Sequence, residues 1–205
     1  MSFDVFFLVN AVGSAAFALS GFFVGVRKDL DYMGLFIVSL LTASGGGMLR
    51  DVLVGRVPLL LSDSFAFALV CGVLVLAILF KIYRFENMDR RQWFVISDSI
   101  GLVAFSVTGT LVGIEYGLPV YGGMVLAFLT ATGGGIIRDI LVNEMPALLK
   151  SDFYGSISIL IAASLYGLHT LSIWNDQIIA CVFGVALVLR LIAYRYDWHL
   201  PRLKP

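Results

Sequence analysis

The residues best placed to do chemistry are two arginine–aspartate pairs, Arg50-Asp51 and Arg138-Asp139. Each starts three residues after a run of three glycines. The first pair closes the stretch TASGGGMLRD (42–51) and the second closes TATGGGIIRD (130–139), 88 positions later. Both lie in apolar surroundings, where an ionisable side chain is costly and points to a function by default. Such groups offer charge and hydrogen bonds, and they do not make or break covalent bonds. The rest of the chain adds no covalent chemistry. Cys71 and Cys181 have no CxxC spacing and His169 and His199 stand alone, so no metal centre, disulfide, cofactor or enzymatic nucleophile–base pair is expected.

The glycine runs determine how these charges are presented. One glycine inside a helix costs about 1 kcal/mol relative to alanine, and three in succession also remove side-chain packing. A kink or unwound turn is therefore predicted at Gly45, Gly46 and Gly47 and again at Gly133, Gly134 and Gly135. Irregular backbone at membrane depth must be buried in protein or line a watery cavity, so both breaks are expected to face inward. Counted from Met33, Gly45 lies roughly 18 Å into its span, a little past the midplane. Carbonyls freed near Gly45 and Gly133, with the hydroxyls of Thr42, Ser44, Thr130 and Thr132, are suited to coordinating a monovalent cation. Arg50 and Arg138 then read as gates or anchors, or as side chains that snorkel to headgroups. The adjacent acids Asp51 and Asp139 could compensate the charge, although neighbours i and i+1 on a helix diverge, so pairing across the two motifs is also open.

The elements that must hold these motifs are membrane helices. Of the 205 residues 60% are hydrophobic and only 14% charged, and the mean hydropathy is +0.95. A soluble domain is about 25% charged. Seven apolar stretches are long enough to span a bilayer, near 3–26, 33–54, 64–83, 93–114, 119–142, 153–171 and 174–194. Strict polar/apolar alternation is missing from runs such as CGVLVLAILF, which argues against a β-barrel. At an offset of 88, residues 10–58 align with 98–146 without a gap, and ten of the seventeen positions from Thr42 to Pro58 are identical. Three spans per copy is an odd number, so the second copy must enter from the opposite side. The predicted fold is all-α, with inverted three-helix units over 1–88 and 89–172 and a seventh helix with its tail over 173–205. Ligand sites of such repeats lie near the midplane.

Two further pairs follow from the offset. Gly21/Gly25 and Gly109/Gly113 are matched GxxxG motifs, which predict close helix packing. Ser20 with Thr108, or Asn10 with Asp98, could face a polar path, the latter pair lying near opposite membrane faces as its entrances. Orientation follows from the basic residues. Of 14 Lys and Arg, only Arg50 and Arg56 fall on one face under this topology, which puts the N-terminus outside and the C-terminus in the cytoplasm. The MSFDVFFLVN start carries an acid and no basic region, so the first helix reads as a retained span and not a cleaved signal.

With the doubled GGGMLRD and GGGIIRD motifs, two three-helix repeats and a seventh helix, the chain resembles the prokaryotic trimeric intracellular cation (TRIC) channels, also described as tandem glycine-transporter domains. The resemblance implies a homotrimer in a bacterial or archaeal plasma membrane. Each subunit would carry a potassium-permeable pore lined by the first, second, fourth and fifth spans, with the glycines as hinges and Arg138 as the basic gating residue. Partners would be potassium or sodium ions, membrane lipids and copies of the chain, and not nucleic acid. The alternative is a secondary transporter of glycine or another small zwitterion, because broken-helix N-termini suit a carboxylate and C-termini an ammonium.

Overall fold

The computed structural model describes residues 3–84, 90–150 and 153–198. His199, Arg202 and Lys204 lie outside these residues. Among the described residues every regular element is helical. The first unit holds α1 (Phe3–Arg27), α2 (Tyr32–Leu53), the single turn α3 (Leu59–Ser62) and α4 (Ser64–Leu79). The second holds α5 (Arg90–Glu115), α6 (Val120–Leu141), the single turn α7 (Ala147–Lys150) and α8 (Gly155–Thr170), and α9 (Asp176–Arg195) follows.

Local signals set the boundaries. Asp31, Asp63 and Asn175 cap α2, α4 and α9, their side-chain oxygens accepting from the amides of Gly34, Phe65 and Ile178 at 2.7–2.9 Å. After α2 and α6 the chain turns at equivalent positions, Gly55 (φ 76°) and Asn143 (φ 54°), residue types that accept a left-handed backbone. The helix-end carbonyls are satisfied there as well, since Arg56 and Glu144 donate their amides to the carbonyls of Asp51 and Asp139.

Among the described residues five helices are long and apolar enough to cross a membrane, α1, α2, α5, α6 and α9. The expected third and sixth spans are shorter than their apolar stretches, since α4 and α8 have 16 residues each. Left-handed residues stop them early, Lys81 (φ 51°) after α4 and Ser172 (φ 58°) after α8.

The centre is a four-helix arrangement in which α1 packs on α5, α2 on α6, α1 on α2 and α5 on α6. Outside it, α4 covers α1 and α2, α8 covers α5 and α6, and α9 lies on α5 and α8. This last contact has no counterpart in the first unit. It makes α5 the innermost helix, with 89% of its apolar window buried against 44% for α1.

The glycine runs do not break their helices. Both α2 and α6 are continuously α-helical through Gly45–Gly47 and Gly133–Gly135, so the predicted unwound turn is absent. The glycines instead permit a close crossing. A Cβ on Gly46 would collide with the Thr130 carbonyl oxygen, and one on Gly134 with the Thr42 carbonyl oxygen. One position earlier, a Cβ on Gly45 would sit 2.6 Å from Ile137 Cδ1, and one on Gly133 2.7 Å from Leu49 Cδ1. The GxxxG residues act likewise within each unit. A Cβ on Gly21 would meet the Ser39 Cα at 2.7 Å, and one on Gly109 the Ala127 Cα at 2.7 Å.

Candidate functional site

Because the ladders of α2 and α6 are intact, the helices themselves engage the carbonyls near Gly45 and Gly133, and these are not the free cation ligands that broken helices would present. The hydroxyls expected beside them are turned inward on their own helices. Thr42, Ser44, Thr130 and Thr132 donate to the carbonyls four residues back, Val38, Leu40, Leu126 and Phe128, at 2.6–2.7 Å. This suits hydroxyl side chains in an apolar span, which otherwise lack a partner.

The charged pairs form two related clusters. Arg50 (1% exposed) donates Nε to Asp51 Oδ1 at 2.8 Å and Nη1 to Thr108 Oγ1 on α5 at 3.3 Å. Its guanidinium lies 5.4 Å from the Phe6 ring centroid. Arg138 (0% exposed) donates Nε to Asp139 Oδ1 at 2.8 Å and Nη1 to Ser20 Oγ on α1 at 2.6 Å, and lies 4.8 Å from the Phe94 centroid. Each acid also anchors the following turn, Asp51 Oδ2 accepting from Leu59 N at 3.0 Å and Asp139 Oδ2 from Ala147 N at 2.7 Å. All these pairs of positions are 88 apart.

Two readings left open by the sequence are decided here. Neighbouring Arg and Asp do pair, because the long arginine side chain folds back over its own helix end. Neither arginine snorkels to the surface, since both are enclosed. What does cross between the units is a hydroxyl contact, Arg50 to Thr108 and Arg138 to Ser20.

The clusters differ in compensation. On the first side Arg56 also pairs with Asp51 (Nη2–Oδ1 2.7 Å), giving two guanidinium groups to one carboxylate. On the second, Arg138 Nη1 meets a further carboxylate, Asp98 Oδ1, at 2.6 Å, and Ser20 Oγ lies 3.3 Å from the same oxygen. Two positions differ, Asn10 against Asp98, which the offset alignment had already paired, and Arg56 against Glu144. An uncompensated charge at this depth would cost several kcal/mol, so the carboxylates are what allow the arginines to be buried.

Open space adjoins the first cluster. A cavity of about 620 Å³ is bordered by α1, α4 and the ends of α5 and α8, and Asn10, Ser14, Arg56, Glu115 and Trp174 line it. Asn10 and Ser14 also line an adjoining space of about 30 Å³, which reaches Ser44, Gly47, Arg50 and Asp51. Wide space thus narrows onto the Arg50 motif.

This arrangement recurs in known proteins. The family described as Glycine transporter matches residues 7–81 and 95–170, one match in each unit. The UPF0126 membrane protein YvgT of Bacillus subtilis is 34% identical over 95% of this chain and 94% of its own length. A solved prokaryotic TRIC channel, crystallised in 0.5 M KCl, superposes with a TM-score of 0.87 at 29% identity, covering 97% of this chain and all of the other. The chain belongs to the prokaryotic TRIC family. A further member, the TRIC trimeric intracellular cation channel orthologue from Rhodobacter sphaeroides, superposes at 0.86 with 26% identity over 95% of this chain and 99% of its own. The family is one of membrane channels and not of enzymes.

Measured against this TRIC fold, the motif residues named from the sequence gather at the α2–α6 crossing and the two clusters. Ser20, Thr108, Asn10 and Asp98 join them. Among the described residues no three metal-ligating side chains gather, Cys71 and Cys181 are free thiols, and His169 stacks edge-on against Trp174 at 5.4 Å. Sequence reasoning missed Phe6, Phe94, Tyr154 and Arg190 as parts of the site. Phe6 and Phe94 continue the 88-residue register four positions before the aligned block, and Arg190 is a lone charge inside an apolar span. Both signals were present. For Tyr154 there was none.

Proposed function

We propose that the chain is a potassium-conducting cation channel that assembles as a homotrimer, with one pore in each subunit between α1, α2, α5 and α6. In this reading seven helices cross a bacterial plasma membrane as two inverted units (1–88 and 89–172) and a final segment (173–205), with the N-terminus outside. The short α4 and α8 span about 24 Å each, which a locally thinned bilayer accommodates. The observation that carries the proposal is the cavity that narrows from about 620 Å³ onto Arg50, Asp51 and Ser44, in a chain that aligns over nearly its whole length with solved TRIC channels.

The physics of passage follows from the clusters. Arginine on a cation path repels its cargo unless carboxylates offset it, and here Asp51, Asp98 and Asp139 do so. Gating is a shift of α2 against α6. At Gly46 and Gly134 their contact is backbone on backbone, with the Ile137 and Leu49 side chains seated on Gly45 and Gly133, and Arg138 joins α6 to α1 and α5. The hinges of this reading are therefore sliding contacts at Gly45–Gly47 and Gly133–Gly135.

Purified protein in a planar bilayer is expected to show unitary currents that reverse near the potassium potential in a KCl gradient. Slow, saturable flux without unitary steps would overturn the channel reading. That outcome is the signature of the second reading, transport of glycine or a similar zwitterion, which is favoured by one specific observation. Wide space adjoins the first cluster, whereas Arg138 is enclosed by Asp98, Asp139 and Tyr154, as in a carrier open to one side. Uptake of labelled glycine into proteoliposomes tests it.

A further inference from the structure

The helix outside both units carries one buried charge. Arg190 of α9 is 4% exposed, and its guanidinium carbon lies 4.9 Å from the centroid of the Tyr154 ring. Tyr154 precedes α8 and is itself 1% exposed. Its hydroxyl sits where a Cβ on Gly135 would meet it at 2.9 Å, and the same Cβ would be 3.7 Å from Arg138 Nη2. One aromatic ring thus stands between the guanidinium of α9 and the Arg138–Asp98 pair.

The other unit shows what that ring does. Phe65 and Phe153 keep the 88-residue register, which sets Tyr154 against Ala66. Ala66 lines the 30 Å³ space beside Ser44, Gly47 and Arg50. Their counterparts are Thr132, Gly135 and Arg138, and beside these stands the phenol. Alanine leaves room for a small ion where tyrosine fills it. No element of the first unit corresponds to α9, and none is needed where the side chain is a methyl group.

From this we infer that Tyr154 is a plug closing the Arg138 half of the path, and that Arg190 is the positioning residue by which α9 holds it there. The inference rests on the proposed path only for what the plug obstructs. A guanidinium stacked on a ring is attracted by the ring's negative face, an attraction that strengthens when water is excluded. Movement of α9 away from α8 would release the phenol, so a helix outside the repeats would set access between them.

The test reads access, not current. In a Cys71→Ser/Cys181→Ser background, a single cysteine replaces either Thr132, which lies one helical turn from Gly135, or its counterpart Ser44. The protein is reconstituted in vesicles and exposed to silver ion, a thiol-reactive cation of about the size of potassium. The remaining thiol is titrated with maleimide after denaturation. Ser44→Cys is expected to react readily, and Thr132→Cys at least tenfold more slowly. Arg190→Met or Tyr154→Ala is expected to speed the Thr132→Cys reaction at least tenfold and to leave Ser44→Cys within twofold, while Tyr154→Phe keeps the protection. Arg190→Met removes a charge from the membrane and retains side-chain length; Arg190→Gln is the second arm should it fail to give monodisperse protein. A Thr132→Cys rate unchanged by a folded Arg190 variant, or equal changes at both cysteines, overturns the inference. Because this readout needs no conductance, the absence of unitary currents would reject the channel and leave the plug standing.

Discussion

The Cα of Gly46 lies directly beneath the carbonyl oxygen of Thr130, so close that no Cβ fits between α2 and α6. Gly134 and Thr42 repeat the relationship in reverse. Backbone against backbone is the tightest crossing two helices can make, and only glycine at these positions allows it. The doubled GGG is therefore a pair of contact surfaces.

That contact predicts a steep penalty for one added methyl group. Gly46→Ala and Gly134→Ala must push backbone against backbone, and overpacking of this kind costs about 1–3 kcal/mol or more. Gly72→Ala, on α4 with nothing within 4 Å of the added Cβ, is expected to be neutral or stabilising by about 0.5–1 kcal/mol. Thermal unfolding in one detergent compares the three, and equal melting shifts would refute the crossing.

The Arg138–Asp98 pair should behave as a coupled unit. Removing one partner from a buried pair costs about 3–5 kcal/mol because the other charge is stranded. Arg138→Met and Asp98→Asn are each expected to destabilise strongly, and the double variant by much less than their sum. Additive losses in a double-mutant cycle would mean that the two do not interact. In bilayers, Arg138→Ala is expected to change the open probability; an unaltered channel would return Arg138 to a purely structural role.

The cavity and the proposed orientation are tested together by Ser14→Cys, whose side chain lines the wide space. With Cys71 and Cys181 replaced by serine, a membrane-impermeant thiol reagent added to intact cells is expected to label it. Labelling only after the cells are opened would reverse the topology.

Not every ion pair should matter. Glu144 lies 2.9 Å from both Arg27 Nη2 and Lys28 Nζ, and all three side chains are about a third exposed or more. Exposed pairs contribute about 0–1 kcal/mol and are screened by salt. Glu144→Gln is expected to shift the melting temperature little, and less still in high salt. A large, salt-independent loss would show that this bridge is structural.

Much of this was readable from the residues. The apolar stretches located the seven longer helices, and the 88-residue offset paired Arg50 with Arg138, Ser20 with Thr108 and Asn10 with Asp98 before any contact was known. One feature was misread and one was left undecided. A run of three glycines has the same composition whether it breaks a helix or receives another one, and only the facing backbone of Thr42 and Thr130 distinguishes the cases. The pairing of each arginine with its sequence neighbour was one of two options, because helical geometry separates adjacent Cβ atoms, whereas a long side chain can curl back across them.

By itself the sequence determined that this is an all-helical membrane protein built from two copies of one motif, because hydrophobic length and repetition are properties of the chain alone. Which groups would meet was decided only in three dimensions. Tyr154 carries no motif, and Arg190 lies outside both repeats. They come together because α9 packs on one unit only, and that asymmetry is a property of packing, which no local pattern of residues encodes.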